Sequence, residues 1–378
     1  MKKPKIVTIV GTRPEIIKMA PVIKELNRRS DLFDHTLVAT AQHREMLDQF
    51  LSAFDIRPRI DLNLMQKGQS LADFASRSLT ALSDLLDSLK PDATIVQGDT
   101  TTVMTTGLAA FYLGVRIGHV EAGLRSFDQR NPFPEEVNRR VTSCLADWHF
   151  APTRQARLNL LREGVPEASI FVTGNTVVDA LRSVSLDGDF ENETLRRIDF
   201  DRSRALLITA HRRESHGSPL RSICRAVKTV ARNFDDVEII FPVHLNEQVT
   251  SAVREELAGE RRIHLLRPLS YFDLLRVMSR CYFVLTDSGG IQEEAPSFGK
   301  PVLVLREVTE RPELIESGAG KIVGTDPTRI VEEASLLLTD ANQYLQMTSA
   351  ENPFGDGHAA QRICDVLEQQ LWHDGVKR

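Results

Sequence analysis

Tyr282-Phe-Val-Leu-Thr-Asp-Ser-Gly-Gly-Ile-Gln-Glu-Glu-Ala-Pro296, followed by Pro301-Val-Leu-Val-Leu305, is the stretch whose reading decides the fold. Tyr282 to Leu285 is an apolar run of strand type, and a short helical segment begins behind the glycines. Pro301 must end that segment before Val302 to Leu305 forms the next strand. Strand, short helix and strand in succession predict a parallel sheet. Ser288, Gly289 and Gly290 then stand where a strand hands over to a helix. Free backbone N–H groups and the positive end of the helix dipole suit an anion there, and glycine lets a ligand approach closely. An ordinary turn could also carry two glycines. The acids of Gln292-Glu293-Glu294 tip the balance. They are out of place beside a phosphate unless one binds a neutral, hydroxylated group such as a ribose. The stretch reads as a nucleotide diphosphate site at the mouth of a parallel sheet.

The same alternation extends in both directions. Upstream strands are expected at Ile6 to Val10, Thr36 to Thr40, Ala93 to Val96, Arg116 to Val120 and His149 to Ala151. Thr12 and Glu15 form a capping-box signature around Pro14, opening a helix through Ile16, Ile17, Ala20, Ile23 and Leu26. A helix is expected from His43 to Phe54. The clearest helix places Leu71, Phe74, Ala75, Ser78, Leu79, Leu82, Leu85, Leu86 and Leu89 on one face. A second series has strands at Ala205 to Ile208, Val237 to Pro242, Ile263 to Leu266, Tyr282 to Leu285 and Val302 to Leu305. A last helix is expected over Ala359 to Trp372. Between the series, Thr173 to Ser203 is polar and acidic, a linker with helical pieces. The fold class is therefore α/β: two Rossmann-like domains facing a cleft, with ligands at the carboxyl ends of the strands.

Composition narrows the function. The 378 residues allow about two domains, and 42% apolar content fills two cores. A net charge of -5 with 26% charged residues argues against a nucleic-acid partner. Cys144, Cys224, Cys281 and Cys364 are widely spaced, so neither a disulfide framework nor a zinc site is expected. With no signal-peptide pattern and no apolar run of about 20 residues, a cytoplasmic protein without membrane contact is expected.

The strand-end loops carry the candidates. Arg13 sits in a helix's first turn, either solvated or on an anion, and Lys18 lies one turn on. Asp99 follows Gly98 before a helix, where an N-cap is the bland alternative. Glu121 ends an apolar strand in His119-Val-Glu-Ala-Gly123, so its carboxylate must be paired or functional. Glu135 and Glu136 open a helix after Pro134, where the dipole alone favours acids. His211 and His244 follow strands and are as readily structural as catalytic. Arg212, Arg213, Glu214 and Arg311 complete the set. No G-x-G-x-x-G follows the first strand, and G-x-x-x-x-G-K-[ST], H-E-x-x-H and G-x-S-x-G are absent. The inventory suits acid–base chemistry on a phosphorylated, hydroxyl-rich substrate.

Collinear motifs over nearly the whole chain then resemble the non-hydrolysing UDP-N-acetylglucosamine 2-epimerases. They are Val10-Gly-Thr-Arg-Pro-Glu15, Ala41-Gln-His-Arg44, Gly98-Asp-Thr-Thr101, Gly118-His-Val-Glu-Ala-Gly-Leu-Arg125, Pro134-Glu-Glu136, Gly174-Asn-Thr-Val-Val-Asp179, His211-Arg-Arg-Glu214, Pro242-Val-His-Leu-Asn246, Asp287-Ser-Gly-Gly-Ile-Gln-Glu-Glu-Ala-Pro296, Thr309-Glu-Arg-Pro312 and Asn352-Pro-Phe-Gly-Asp-Gly357.

The resemblance implies a glycosyltransferase-B type architecture whose last helix crosses back to the N-terminal domain. It places residues 1–172 with 359–378 in an acid–base domain and 173–358 in a UDP-binding domain. It implies reversible conversion of UDP-GlcNAc to UDP-ManNAc with no cofactor and no metal, feeding cell-surface polysaccharide synthesis. UDP is eliminated to leave 2-acetamidoglucal, then added back with a proton on the other face of C2. By resemblance Asp99, Glu121 and Glu135 are the acid–base groups and His211 assists departure of the diphosphate. Arg13, Lys18, His244, Arg311 and Ser288 to Gly290 hold the substrate, and Glu294 takes the ribose. Gln42, His43, Glu135 and Arg212 match a second, activating nucleotide-sugar site, where Glu45 and Gly68 depart from the family pattern. A homodimer is implied. A hydrolysing epimerase and a glycosyltransferase on the same fold are the alternative readings.

Overall fold

The computed structural model describes residues 2–40, 50–51, 54–66, 68–212 and 215–373. The chain divides into two units, Met1–Val184 with Phe354–Arg378, and Ser185–Pro353. The expected His43 to Phe54 helix lies mostly outside the described residues.

In the first unit the strands are β1 (Lys5–Val10), β2 (Asp34–Ala39), β3 (Ile60–Asp61), β4 (Ala93–Gln97), β5 (Arg116–Val120), β6 (Trp148–Ala151) and β7 (Ile170–Val172). They pair in parallel in the order β3-β2-β1-β4-β5-β6-β7. The central strands are buried along their length, as parallel strands covered by helices on both faces must be. The Leu71–Leu89 helix starts at Ser70, whose hydroxyl accepts the Asp73 N–H at 3.1 Å. It buries Phe74, Ser78, Leu82 and Leu86, but Leu71 is 49% exposed. The apolar face therefore starts one turn later than the spacing predicts, because the capping turn projects into solvent.

The Ala359–His373 helix belongs to this unit, packed on the Arg13–Arg28 and Thr176–Ser183 helices. Asp179 caps it, accepting the N–H groups of Ala359 at 3.2 Å and Ala360 at 2.8 Å. Arg29 latches it, donating to Asp365 at 2.6 Å and Glu368 at 3.2 Å while its Nε donates to Glu25 at 2.7 Å. These contacts hold the Thr176–Ser183 helix in the first unit. The division falls at 184/185 and 353/354, against the expected 172/173 and 358/359, so the first boundary comes one helix later.

The second unit contains β8 (Arg204–Thr209), β9 (Val237–Pro242), β10 (Ile263–Leu266), β11 (Phe283–Thr286), β12 (Val302–Val304) and β13 (Gly320–Ile322). Their order is β10-β9-β8-β11-β12-β13, again parallel throughout. Leu206, Ile208, Ile239, Phe241, Phe283 and Leu285 form its core. Each sheet reverses its strand order once, between β1 and β4 and between β8 and β11. At such a switch the connections leave in opposite directions and open a crevice at the carboxyl ends of the strands. Among the described residues, no helix is long and apolar enough to cross a membrane.

Candidate active site

In the first unit the turn after β1 leads into the Arg13–Arg28 helix through Gly11 and Thr12. The Glu15 carboxylate reaches back to the N–H groups of Gly11 at 2.5 Å and Thr12 at 3.2 Å. It is fully buried, and that burial raises its pKa. Arg13 is exposed, its guanidinium carbon 5.7 Å from the Phe50 ring centroid.

Gln97 of β4 lies opposite Val120 of β5, so Asp99 and Glu121 emerge from adjacent strand ends. Thr100, not Asp99, is the N-cap of the Thr101–Tyr112 helix. That leaves the Asp99 carboxylate free of the capping role and paired with Arg139 instead. Arg139 also contacts Glu136 at 3.2 Å. Asn138 donates to the Asp99 carbonyl at 2.9 Å. Glu136 is fully buried and accepts the N–H groups of Ser126 at 3.0 Å and Phe127 at 3.2 Å, a structural post for that loop. Glu135, its neighbour in the first turn, remains partly exposed. Glu121 has φ of 65°, a left-handed conformation uncommon for a side chain of its kind. Its carboxylate pairs with Lys18. His119, wholly buried between these positions, joins its Nε2 to the Gly98 carbonyl at 2.8 Å.

In the second unit the loop after β8 carries His211 and Arg212, and the loop after β11 carries Asp287 and Ser288. Asp287 Oδ2 accepts the N–H groups of His211 and Arg212, both at 2.8 Å, and the Ser215 hydroxyl at 2.9 Å. His211 stacks on His244, ring centroids 6.0 Å apart and planes at 13°. Burial holds the His211 pKa below the usual histidine value; Asp287 opposes that shift, while His244, Arg212 and His216 add to it. Ser288 stands at the N-cap position of the Gly289–Glu294 helix, as the strand-to-helix reading requires. The Nη2 atoms of Arg212 and Arg311 come within 3.5 and 3.7 Å of the point a side chain on Gly289 would occupy. Glu294 is buried. Arg311 donates from Nε to Glu293 at 2.5 Å. Glu310 lies near the guanidinium groups of Arg212 at 3.4 Å and of Arg306 and Arg311 at 3.7 Å.

The expected residues thus lie on the turns and helices that follow the strands: Arg13, Lys18, Asp99, Glu121 and Glu135 in one unit, His211, Arg212, His244, Ser288 to Gly290, Glu294 and Arg311 in the other. Gln42 and His43 lie outside the described residues, as do Arg213 and Glu214. Sequence reasoning gave no role to Arg139, Asp287 or Glu293. Asp287 carried a usable signal, since an acid at the end of a buried strand needs a partner as much as Glu121 does. Among the described residues no group of three or more His, Cys, Asp or Glu side chains is placed to hold a metal ion.

The family model for UDP-N-acetylglucosamine 2-epimerase matches residues 24–368. The chain belongs to the UDP-N-acetylglucosamine 2-epimerase family. This epimerase-family chain is 48% identical over 378 residues to the Bacillus subtilis UDP-N-acetylglucosamine 2-epimerase, covering 100% of this chain and 98% of that one. It is similar to the Neisseria meningitidis UDP-GlcNAc 2-epimerase solved with UDP-GlcNAc, with TM-score 0.87, 43% identity and coverage of 96% and 99%. It is also similar to the Staphylococcus aureus MnaA protein solved with UDP, with TM-score 0.88, 44% identity and 97% coverage of each chain. The epimerase family is α/β with two Rossmann-like halves, and both halves are present here.

Proposed function

We propose that the protein interconverts UDP-GlcNAc and UDP-ManNAc without releasing free sugar. The observation that carries this reading is the pair of cation-held carboxylates, Asp99 on Arg139 and Glu121 on Lys18, at adjacent strand ends. Inversion at C2 requires proton access to both faces of the ring, and so more than one acid–base group. Two carboxylates on neighbouring strands, with Glu135 nearby in sequence to Arg139, supply that set.

The C2 proton is weakly acidic, so cleavage of the C1–O bond must run with or ahead of its removal. Positive character then develops on the sugar ring, and Asp99 and Glu121 stabilise it. The electron pair of the C1–O bond goes to the diphosphate oxygen, assisted by His211. The C2 proton passes to one of the carboxylates Asp99, Glu121 and Glu135, and the products of that step are UDP and 2-acetamidoglucal. Re-addition of UDP, with a proton delivered to the opposite face of C2, completes the exchange. Arg13, Arg311 and the Ser288 to Gly290 backbone hold the diphosphate, Glu294 the ribose, and Lys18 holds the Glu121 carboxylate. By the same family likeness the working form is a homodimer, and its UDP-ManNAc feeds cell-surface polysaccharide synthesis.

The decisive experiment is proton NMR of UDP-GlcNAc with the enzyme in D2O. A UDP-ManNAc anomeric signal with deuterium at C2 is expected. Free ManNAc with UDP would mean hydrolysis instead. No reaction without an added acceptor, and transfer with one, would mean a glycosyltransferase.

A further inference from the structure

We infer that Asp287 is the positioning residue of His211: its Oδ1 accepts the imidazole Nδ1–H, fixes that tautomer and leaves Nε2 to face the diphosphate. What Nε2 faces rests on the function proposed above; the contact itself does not.

The contact follows from the sheet. Thr209 of β8 is paired with Thr286 of β11, so His211 and Asp287 leave neighbouring strand ends at the switch point of the second unit. The two threonine hydroxyls meet at 2.6 Å and Asp287 N–H donates to the Thr209 carbonyl at 3.1 Å, which fixes the base of both loops. Asp287 is fully buried. Its two oxygens have separate tasks. Oδ2 takes three donors, the N–H groups of His211 and Arg212 and the Ser215 hydroxyl. Oδ1 is buried with no hydrogen-bond partner among the described residues, and His211 Nδ1 faces it at 3.5 Å. A buried carboxylate oxygen without a donor is costly, and a small rotation of the imidazole supplies one. Such contacts are commonly long in unliganded sites and tighten in the complex.

The groups around the ring give the contact its chemical sense. His244 stacks on it from the end of β9, and Arg212 and His216 approach from its own loop. With burial they hold the resting ring neutral, while Asp287 opposes them. A neutral ring with its proton on Nδ1 presents a bare Nε2. When an anionic diphosphate arrives, Nε2 takes up a proton from solvent, and the imidazolium is held between the Asp287 carboxylate and a phosphate oxygen. That oxygen receives the electron pair as the C1–O bond breaks.

The test is the nitrogen NMR spectrum of enzyme labelled with 15N-histidine, with His211→Gln identifying the resonance. At pH 8 the wild-type ring is expected to be protonated on Nδ1 only, and saturation with UDP to protonate both nitrogens. Asp287→Asn keeps an amide oxygen for the loop but turns an NH2 toward the ring, so the Nε2–H tautomer is expected. In that variant kcat should fall about 10²- to 10⁴-fold while the UDP Kd changes less than about threefold. Adding Asp287→Asn to His211→Gln should cost nothing further. A wild-type ring protonated on Nε2, or a folded Asp287→Asn with unchanged kcat, overturns the assignment. The wild-type reading does not need Asp287→Asn to fold, only His211→Gln for the assignment. An Nδ1–H ring in an enzyme that leaves UDP-GlcNAc untouched would support the contact and refute the function.

Discussion

Glu293 holds Arg311 from behind. The carboxylate is 1% exposed and takes the Arg311 Nε–H at 2.5 Å, while the same guanidinium extends toward Gly289. A fork fixed through Nε loses little side-chain entropy when it binds an anion. Glu293→Gln is therefore expected to weaken UDP binding about tenfold, roughly 1.4 kcal/mol, with a native circular dichroism spectrum. Isothermal titration with UDP measures it, and an unchanged Kd would remove Glu293 from the anion site.

Asp99→Asn and Glu121→Gln are expected to lower epimerisation at least about 100-fold while UDP still binds. Both substitutions keep size and remove the acid–base function. Turnover by coupled assay and UDP affinity by titration separate the two effects. Wild-type turnover in both variants would end the acid–base assignment.

Acid should destabilise the first unit. Burial lowers the His119 pKa to about 3 and the His35 pKa to about 4, and it lowers that of His149 as well. A depressed histidine pKa means the unfolded chain takes the proton first. Stability is therefore complete above the unfolded value of about 6.5 and declines as pH falls toward the folded value. For His119 alone the loss is about 2 kcal/mol at pH 5. Urea unfolding at pH 7.5 and pH 5 should show it, and His119→Gln, which can still donate to the Gly98 carbonyl, should shrink the difference by about that amount.

Arg29→Met should loosen the terminal helix. Two of its acidic partners are about half exposed, Asp365 at 56% and Glu368 at 42%, so those pairs are screened. A cost of about 1–2 kcal/mol is expected, read as faster amide exchange over 359–373 with exchange in 204–209 unchanged.

Much of this architecture was legible because parallel strands buried on both faces leave continuous apolar runs, and several of them, such as those before Gly11, Gly98 and Pro152, end at a glycine or proline. Thr12 and Glu15 announced their helix for the same local reason. The strand-end acids Asp99 and Glu121 could be read as paired or functional, since burial permits little else. Their cations could not, because Arg139 and Lys18 lie 40 and 103 residues away along the chain. Periodicity carries no information about such separations. The division at 184/185 is hidden from the sequence for a related reason. Asp179 looks like any polar residue of a linker, and only its partners, Ala359 and Ala360, reveal it as a cap. Glu293 and Glu294 are adjacent in sequence, yet only the fold shows that one of them faces Arg311.

The return of the Ala359–His373 helix to the first unit has a consequence for how the chain comes off the ribosome. Residues 185–353 are all synthesised before Ile363, Leu367 and Leu371, the buried face of that helix. The unit that begins first is thus finished last, and its exposed seam must wait through the making of an entire second unit. Nascent-chain force profiles should show the second unit gaining structure at shorter lengths than the first, and a stop before residue 359 should leave the first unit prone to capture by chaperones.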